Sequence, residues 1–257
     1  LARHEDRVDA TFASGARGSY DVVVGADGLH SSVRALAFGD EGLFLKHHGY
    51  RIAAFEMAER RDARLLVYSA PGRATAIASG RALLVYRGGP FGEERWDLAA
   101  QKRALRATYD GVGWEVPRVL DALDAANDVF LDAIATVHVD GWSRGRAVLL
   151  GDAAWGGTLG GQGTSLAMVG AYVLAGELAH GEPSTAFQRY ESRMRAYAMG
   201  CQKGAMRVGG FFAPKTWLGI SVRNFVYRAL TSRFLVGFFE RLVKDAASDF
   251  ALPHYAT

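Results

Sequence analysis

The segment Gly151-Asp152-Ala153-Ala154-Trp155-Gly156-Gly157-Thr158-Leu159-Gly160-Gly161-Gln162-Gly163-Thr164-Ser165 concentrates the residue types best able to do chemistry. Glycines, having no Cβ, let a backbone press against a flat ligand. Asp152 offers a carboxylate that accepts hydrogen bonds from ligand hydroxyls. From Gly163 onward the apolar residues recur at helical spacing, so the amides of Gly163, Thr164 and Ser165 stand unpaired at a helix N-terminus. Such an end carries about half a positive charge and favours an anion. A hydroxyl acceptor, a glycine floor and a helix N-terminus suit a ligand with a polyol and a flat anionic ring. A second acid–glycine pair, Asp27-Gly28, precedes Arg34 in Gly25-Ala26-Asp27-Gly28-Leu29-His30-Ser31-Ser32-Val33-Arg34. The adjacent His47-His48 lacks a further ligand at metal spacing, and no metal is expected.

These residues need elements to hold them. Tyr20-Asp21-Val22-Val23-Val24-Gly25 and Ala147-Val148-Leu149-Leu150 are short apolar runs of the kind shown by strands buried on both faces. Each ends in a Gly/Asp turn, which predicts one α/β sheet with ligand chemistry at the strands' carboxyl ends. Val8, Ala10 and Phe12 alternate, predicting a strand with all three on one face. Residues 49–57, 65–69, 75–79 and 82–87 read as short strands separated by turn residues. A helix begins near Asp97 with Leu98, Gln101, Leu105 and Tyr109 inward, and another at Pro117 with Leu120 and Leu123 inward. Residues 130–139 read as a further strand. After Gly163, Thr164 or Ser165 supplies a cap for a helix stopped by Gly181 and Pro183. Ser184 caps the next, whose apolar face is Phe187, Tyr190, Met194, Tyr197 and Cys201. The remainder reads as two more helices and a tail.

Composition excludes several classes. The 257 residues, 49% hydrophobic and 22% charged, can bury a core and are not a disordered chain. Cys201 is the one cysteine, so no disulfide framework exists, and a cytoplasmic location is expected. A net charge of +3 is too small for a nucleic-acid binder. Of the 30 basic residues 25 are arginine, the mark of a GC-rich bacterial coding bias. The uncharged run over 153–176 is long enough to cross a bilayer, but within it Trp155 to Gly163 is mostly glycine. The apolar stretch over 208–243 is interrupted by Lys215, Arg223, Arg228, Arg233 and Arg241 and reads as packed helices with snorkelling arginines. No integral membrane segment is expected, and the oligomeric state is not readable.

The Asp27-Gly28 segment resembles the Asp-Gly fingerprint of the class A flavoprotein monooxygenases, the aromatic hydroxylase family. Residues 151–165 resemble that family's Gly-Asp flavin motif, in the same order and with a β-rich insertion between the two. The resemblance implies FAD as cofactor and NAD(P)H as co-substrate. Asp152, preceded by Gly151, would bind the ribityl chain. The amides after Gly161, those of Gly163, Thr164 and Ser165, would face the N1/O2 edge of the isoalloxazine. Asp27, Gly28 and Arg34 would order the pyrophosphate region and the path of NAD(P)H. The implied fold is an α/β FAD-binding domain of the aromatic hydroxylase type over 1–37 and 138–183. Into it is inserted a mostly antiparallel β-sheet substrate domain over 38–137, and a C-terminal helical region follows over 184–257.

The implied activity is hydroxylation of a small aromatic or polyketide-like molecule with NAD(P)H and O2, through a flavin C4a-hydroperoxide. Two alternatives stand beside it: a flavin oxidoreductase of the same fold without oxygen insertion, and a non-catalytic small-molecule binding fragment. Three departures bear on the choice. The family's opening strand–GxGxxG–helix unit does not occur within the 257 residues, so an N-terminally truncated part of a larger flavoenzyme is expected, which by itself would bind FAD poorly. Trp155 stands where the family commonly has histidine. The loop after it lacks the usual proline and is one residue short. Phe55, Tyr68 and Tyr86 are the aromatic candidates for lining a substrate site.

Overall fold

The computed structural model describes residues 1–58, 64–91, 97–157, 163–205, 212–230 and 250–255. In chain order its elements are β1 (Ala2–Arg3), β2 (Val8–Thr11), β3 (Arg17–Tyr20), β4 (Val23–Gly25), α1 (Ser32–Phe38), a 3-10 turn (Glu41–Leu43), β5 (Leu45–Glu56), β6 (Leu66–Ala70), β7 (Arg73–Ala78) and β8 (Arg81–Arg87). There follow α2 (Leu98–Tyr109), α3 (Val116–Ala125), β9 (Phe130–Val137), β10 (Ser143–Arg144), β11 (Ala147–Leu149), α4 (Asp152–Trp155), α5 (Gly163–Ala179), α6 (Pro183–Ala205) and α7 (Trp217–Leu230). The chain divides into two compact units. One comprises Leu1–Lys46, Ala135–Met206 and Val243–Thr257, the other His47–Ile134 and Arg207–Leu242.

In the first unit β11 lies between β10 and β4 and runs parallel to β4, with Ala147 opposite Val23 and Leu149 opposite Gly25. Parallel pairing forces a long crossover between the two strands, and the His47–Ile134 part of the second unit is contained in it. Ala147, Val148 and Leu149 are buried, as the apolar run predicted. The run from Tyr20 to Gly25 differs from its prediction. It is not one strand buried on both faces: Tyr20 ends β3, and Val24 is 40% exposed because β4 lies at the sheet edge among the described residues. Likewise Val8 and Ala10 are buried but Phe12 is exposed, since β2 stops at Thr11 and Phe12 enters the turn closed by the Gly15 N–H to Phe12 O bond.

α5 and α6 pack against this sheet. Phe187, Tyr190, Met194 and Ala198 repeat at helical spacing and are buried with Trp142, Leu149, Trp155 and Leu166. Glu177 of α5 is nearly buried, and its carboxylate takes hydrogen bonds from Arg189, from Arg193 at 2.7 Å and from the Tyr255 hydroxyl at 2.8 Å. Burial alone would push its pKa up, but these donors hold it below the ordinary value. Two expected caps fall elsewhere. Thr164 and Ser165 lie in the first turn of α5, which starts at Gly163. Pro183 opens α6, where its missing N–H is harmless, so Glu182 rather than Ser184 holds the cap position and its carbonyl accepts the first bond, from Ala186 N–H.

The second unit is a five-stranded sheet in the order β6-β7-β8-β5-β9, with antiparallel pairs β6·β7, β7·β8 and β8·β5. α2 and α3 cover one face. Asp97 caps α2 by accepting the Ala99 N–H at 2.9 Å, and Leu105 and Tyr109 are fully buried. Phe55 and Tyr86 are both buried in this helix-covered core, and Phe55 also borders a cavity of about 550 Å3 with Ala54 and Phe130. Tyr68 instead stacks on Trp114, with ring centroids 5.4 Å apart. The C-terminal helices do not form a region of their own over 184–257. α6 falls in the first unit and α7 in the second, where the Gly72 N–H to Pro214 O bond of 2.7 Å anchors the chain before α7 to the β6–β7 turn.

The Tyr109 hydroxyl lies 2.8 Å from Ala74 O and 3.0 Å from Val85 O, across the paired strands β7 and β8, in surroundings that push its pKa far up through burial. Tyr109→Phe leaves buried carbonyls short of a donor, which costs about 1–3 kcal/mol. A lower melting temperature by calorimetry, with the far-UV spectrum unchanged, is the expected result; equal stability would contradict this role.

Candidate active site

The parallel register brings the two acid–glycine motifs to the same end of one sheet. Leu150 N–H donates to Gly25 O at 2.9 Å, so Ala26-Asp27-Gly28 and Gly151-Asp152 leave adjacent strand ends. Gly28 (φ +86°) and Gly151 (φ +65°) both take a left-handed backbone that favours glycine, and each turns its strand into the following segment. The positions do different work. Asp27 accepts from Ser31 Oγ and from Val33 N–H (3.0 Å), and Ser31 Oγ accepts from Arg34 N–H at 2.9 Å, so the loop caps α1 twice. Burial alone would push the Asp27 pKa up, but the hydrogen bonds from Ser31, Val33 and Ser32 hold it below the ordinary value.

Arg34 has no exposed surface. Its guanidinium donates to Leu29 O at 2.6 Å and to Ala153 O at 2.9 Å, and lies 3.5 Å from Glu41. Burial lowers its pKa, while Glu41 and Asp27 oppose that shift. Glu41 also meets His30 Nδ1 at 3.0 Å. Arg34 therefore fastens the Asp27 loop to the turn that follows Asp152.

That turn, α4, is a single helical turn whose amides at Ala154 and Trp155 return to Gly151 O. Asp152 is its first residue. The side chain reaches solvent, yet the surrounding protein pushes its pKa up from the ordinary carboxylate value, and no described residue hydrogen-bonds its carboxylate. Trp155 points the other way. It is fully buried, 4.6 Å from Trp142 and 6.3 Å from Tyr190 by ring centroids, and its ring sits 2.9 Å from where a Cβ would stand at Gly170 of α5. The indole in the family's histidine position thus packs into the core.

Beyond Trp155 the chain presses on β9. Gly157 (φ +100°) has no room for a side chain: a Cβ there would lie 2.4 Å from Ala135 O. Gln202 of α6 locks this stretch, its Nε2 donating to Val137 O (2.8 Å) and Gly156 O (3.0 Å). Neither Gln202 nor the cap function of Ser31 follows from sequence spacing, although the polar Gln202 within an apolar helical face was a visible signal. Gly161 lies outside the described residues. Gly163, Thr164 and Ser165 form the first turn of α5, with Thr164 and Ser165 exposed. This helix passes beside Gly151, where a Cβ would stand 3.4 Å from Ala167 Cβ. The strand-end acid and the α5 N-terminus therefore border one surface, rich in hydrogen-bond donors on one side and holding an unpartnered acceptor on the other.

No protein-family model matches the chain. It is similar to a flavin-dependent monooxygenase of an unknown prokaryotic organism, 35% identical over 207 residues, covering 77% of this chain and 54% of that protein. A flavin-dependent monooxygenase of Legionella longbeachae is 30% identical over 266 residues, covering 99% of this chain and 66% of that protein. Among solved structures, tetracycline destructase Tet(55) matches with a TM-score of 0.79 and 31% identity, covering 99% of this chain and 68% of that one. The chain thus spans little more than half of the first of these proteins and about two thirds of the others.

Asp27 gives the site a defined response to acid. Its folded-state pKa is depressed below the ordinary 3.8, so its stabilising contribution is fully present above that value and is lost as the pH falls through the lower, folded value. Melting curves of the protein and of Asp27→Asn from about pH 7 to about pH 3 are expected to converge at the acid end. A constant gap across that range would refute the assignment.

Proposed function

The chain belongs to the flavin-dependent monooxygenases of the aromatic hydroxylase fold, and on that premise we propose that it holds the flavin-facing part of an enzyme that uses NAD(P)H and O2 to hydroxylate an aromatic or polyketide-like small molecule. The observation that carries this reading is Asp152: a solvent-facing carboxylate with a raised pKa and no partner among the described residues, at the carboxyl end of a buried strand and beside a helix N-terminus. A row of ribityl hydroxyls supplies the donors such an acid lacks, and FAD fits the residues present.

When bound, FAD supplies hydride acceptance and oxygen activation, chemistry that no side chain provides. The protein's part is to hold and polarise. Asp152 accepts from the ribityl chain. Gly163, Thr164 and Ser165 would present their amides and the positive end of α5 to the pyrimidine edge of the flavin, an arrangement that favours negative charge there. Gly151 and Gly28 let the backbone come close. Asp27 and Arg34 act from behind: their own hydrogen bonds are made to protein atoms, and they set the shape of the loop facing the pyrophosphate and the path of NAD(P)H. No helix among the described residues is long and apolar enough to cross a membrane, and we place the enzyme in the cytoplasm, where reduced nicotinamide is at hand.

Asp152→Ala, made in the full-length protein, is expected to weaken FAD binding by about tenfold to a hundredfold, the loss of a charged hydrogen bond of roughly 1.5–3 kcal/mol. Flavin absorbance after equilibrium dialysis measures it, and unchanged retention would refute the role. For the reaction, 18O2 label is expected in the product of a supplied aromatic substrate. Oxidation of NAD(P)H with no labelled product from any accepted substrate would point to the oxidoreductase without oxygen insertion.

A further inference from the structure

The cavity of about 550 Å3 that Phe55 borders lies in the second unit, and its size is within the roughly 300–1,000 Å3 typical of small-molecule sites. Phe55 and Glu56 at the end of β5, Arg81 at the start of β8, Asn127 and Asp128 in the turn after α3, and Phe130 at the start of β9 border it. Two of these are aromatic. Phe55 is fixed in the core beneath, whereas Phe130 is 56% exposed. A ring left that open beside a cavity is apolar surface that a ligand can cover with a gain in free energy.

The polar lining is net negative. Arg81 lies 3.4 Å from Glu56, and these two charges offset each other. Asp128 remains, just past the C-terminus of α3, where unpaired carbonyls and the negative pole of the helix favour cations over anions. α3 has no basic residue in its last turn. The fold answers part of this negative charge from α2: Lys102 Nζ donates to Asp124 O at 2.8 Å, and Arg106 Nε donates to the Asp124 carboxylate at 3.3 Å. It does not answer the part that borders the cavity, since Asp128 has no partner among the described residues. A carboxylate at a helix C-terminus breaks a local rule of stability, and such breaks concentrate at functional sites.

We propose that this cavity binds an organic cation, an ammonium or amidinium group carried on an aromatic body, with the charge against Asp128 and the carbonyl end of α3 and the body against Phe130 and Phe55. Asn127 adds an amide oxygen that accepts from the same N–H groups. An aromatic ring beside the charge is a second source of attraction, since its face is electron-rich. Every lining residue lies within the His47–Ile134 part of the second unit, and none is a candidate flavin contact.

The probe is 4-aminobenzamidine, measured by equilibrium dialysis at low salt with no flavin or nicotinamide present, so that the outcome is independent of the flavin assignment. Saturable binding at one site per chain is expected. The uncharged 4-aminobenzamide, of nearly the same shape, is expected to bind at least about fivefold more weakly, since it forgoes the charge-assisted hydrogen bonds, and the anionic 4-aminobenzoate not to compete. Asp128→Asn is expected to weaken the amidine by about fivefold or more, and Phe130→Ala by about threefold. Ala125→Trp, which fills the cavity from an exposed position at the end of α3, is expected to abolish binding. Circular dichroism checks that the variants are folded. Affinity unchanged by Asp128→Asn overturns the cation recognition, and affinity unchanged by Ala125→Trp overturns the location. Either result overturns the proposal, as does equal affinity for the uncharged amide or the absence of saturable binding.

Discussion

A guanidinium with no exposed surface holds the two acid–glycine motifs together. Withdrawing a cation from water costs several kcal/mol unless its donors are met, and Arg34 meets that requirement with a carbonyl from the Asp27 loop, a carbonyl from α4 and the carboxylate of Glu41. The partners lie as far as 119 residues from Arg34 in sequence. If either loop shifts, the buried charge loses an acceptor, so the geometry of each motif is conditional on the other. Its Nε has no partner among the described residues, which adds to the cost of any further loosening.

Around that strut the two aspartates take opposite parts. Asp27 is saturated by Ser31 and Val33, and its proton affinity falls; Asp152 is bordered by protein but met by no donor among the described residues, and its proton affinity rises. Two acids of the same type, at matching strand ends, are separated in role by where the nearest N–H and O–H groups point. The saturated acid builds the scaffold, and the unsaturated one is available to a ligand. Trp155 completes the division: by filling the core against Trp142 and Tyr190 it fixes α4 from beneath, which leaves Asp152 as the polar side chain that α4 turns outward.

Much of this was legible in the sequence, for reasons that differ by element. The buried strand ending at Gly151, the meander over 66–87 and the helix faces of α2, α3 and α6 follow from apolar periodicity, which burial enforces directly. Alternation identifies two faces of a strand without saying which one the helices cover, so it does not show that Phe55 and Tyr86 point into the helix-covered core. Phe12 and Val24 depart from the pattern for a related reason: an apolar residue at a strand end or sheet edge follows the same alternation as one inside. Capping was displaced by a residue or two at α5 and α6, where a glycine and a proline take the first helical position. The contacts of Arg34 and Gln202 were out of reach, since they depend on carbonyl directions at sequence distances that no local pattern encodes.

The parallel pairing of β4 with β11 also bears on how such a protein can change over time. The whole sheet of the second unit lies in the crossover between two short strands. Loop-closure entropy grows only logarithmically, by about 0.6 kcal/mol for each doubling of length, so the pairing is almost indifferent to how much chain intervenes. It is far from indifferent in rate, because such non-local pairings form late. An ancestral sequence could therefore lengthen, reshape or exchange the inserted sheet while the paired strand ends and their acid–glycine turns kept their register. The chain is arranged so that one part can diversify at little thermodynamic penalty to the other.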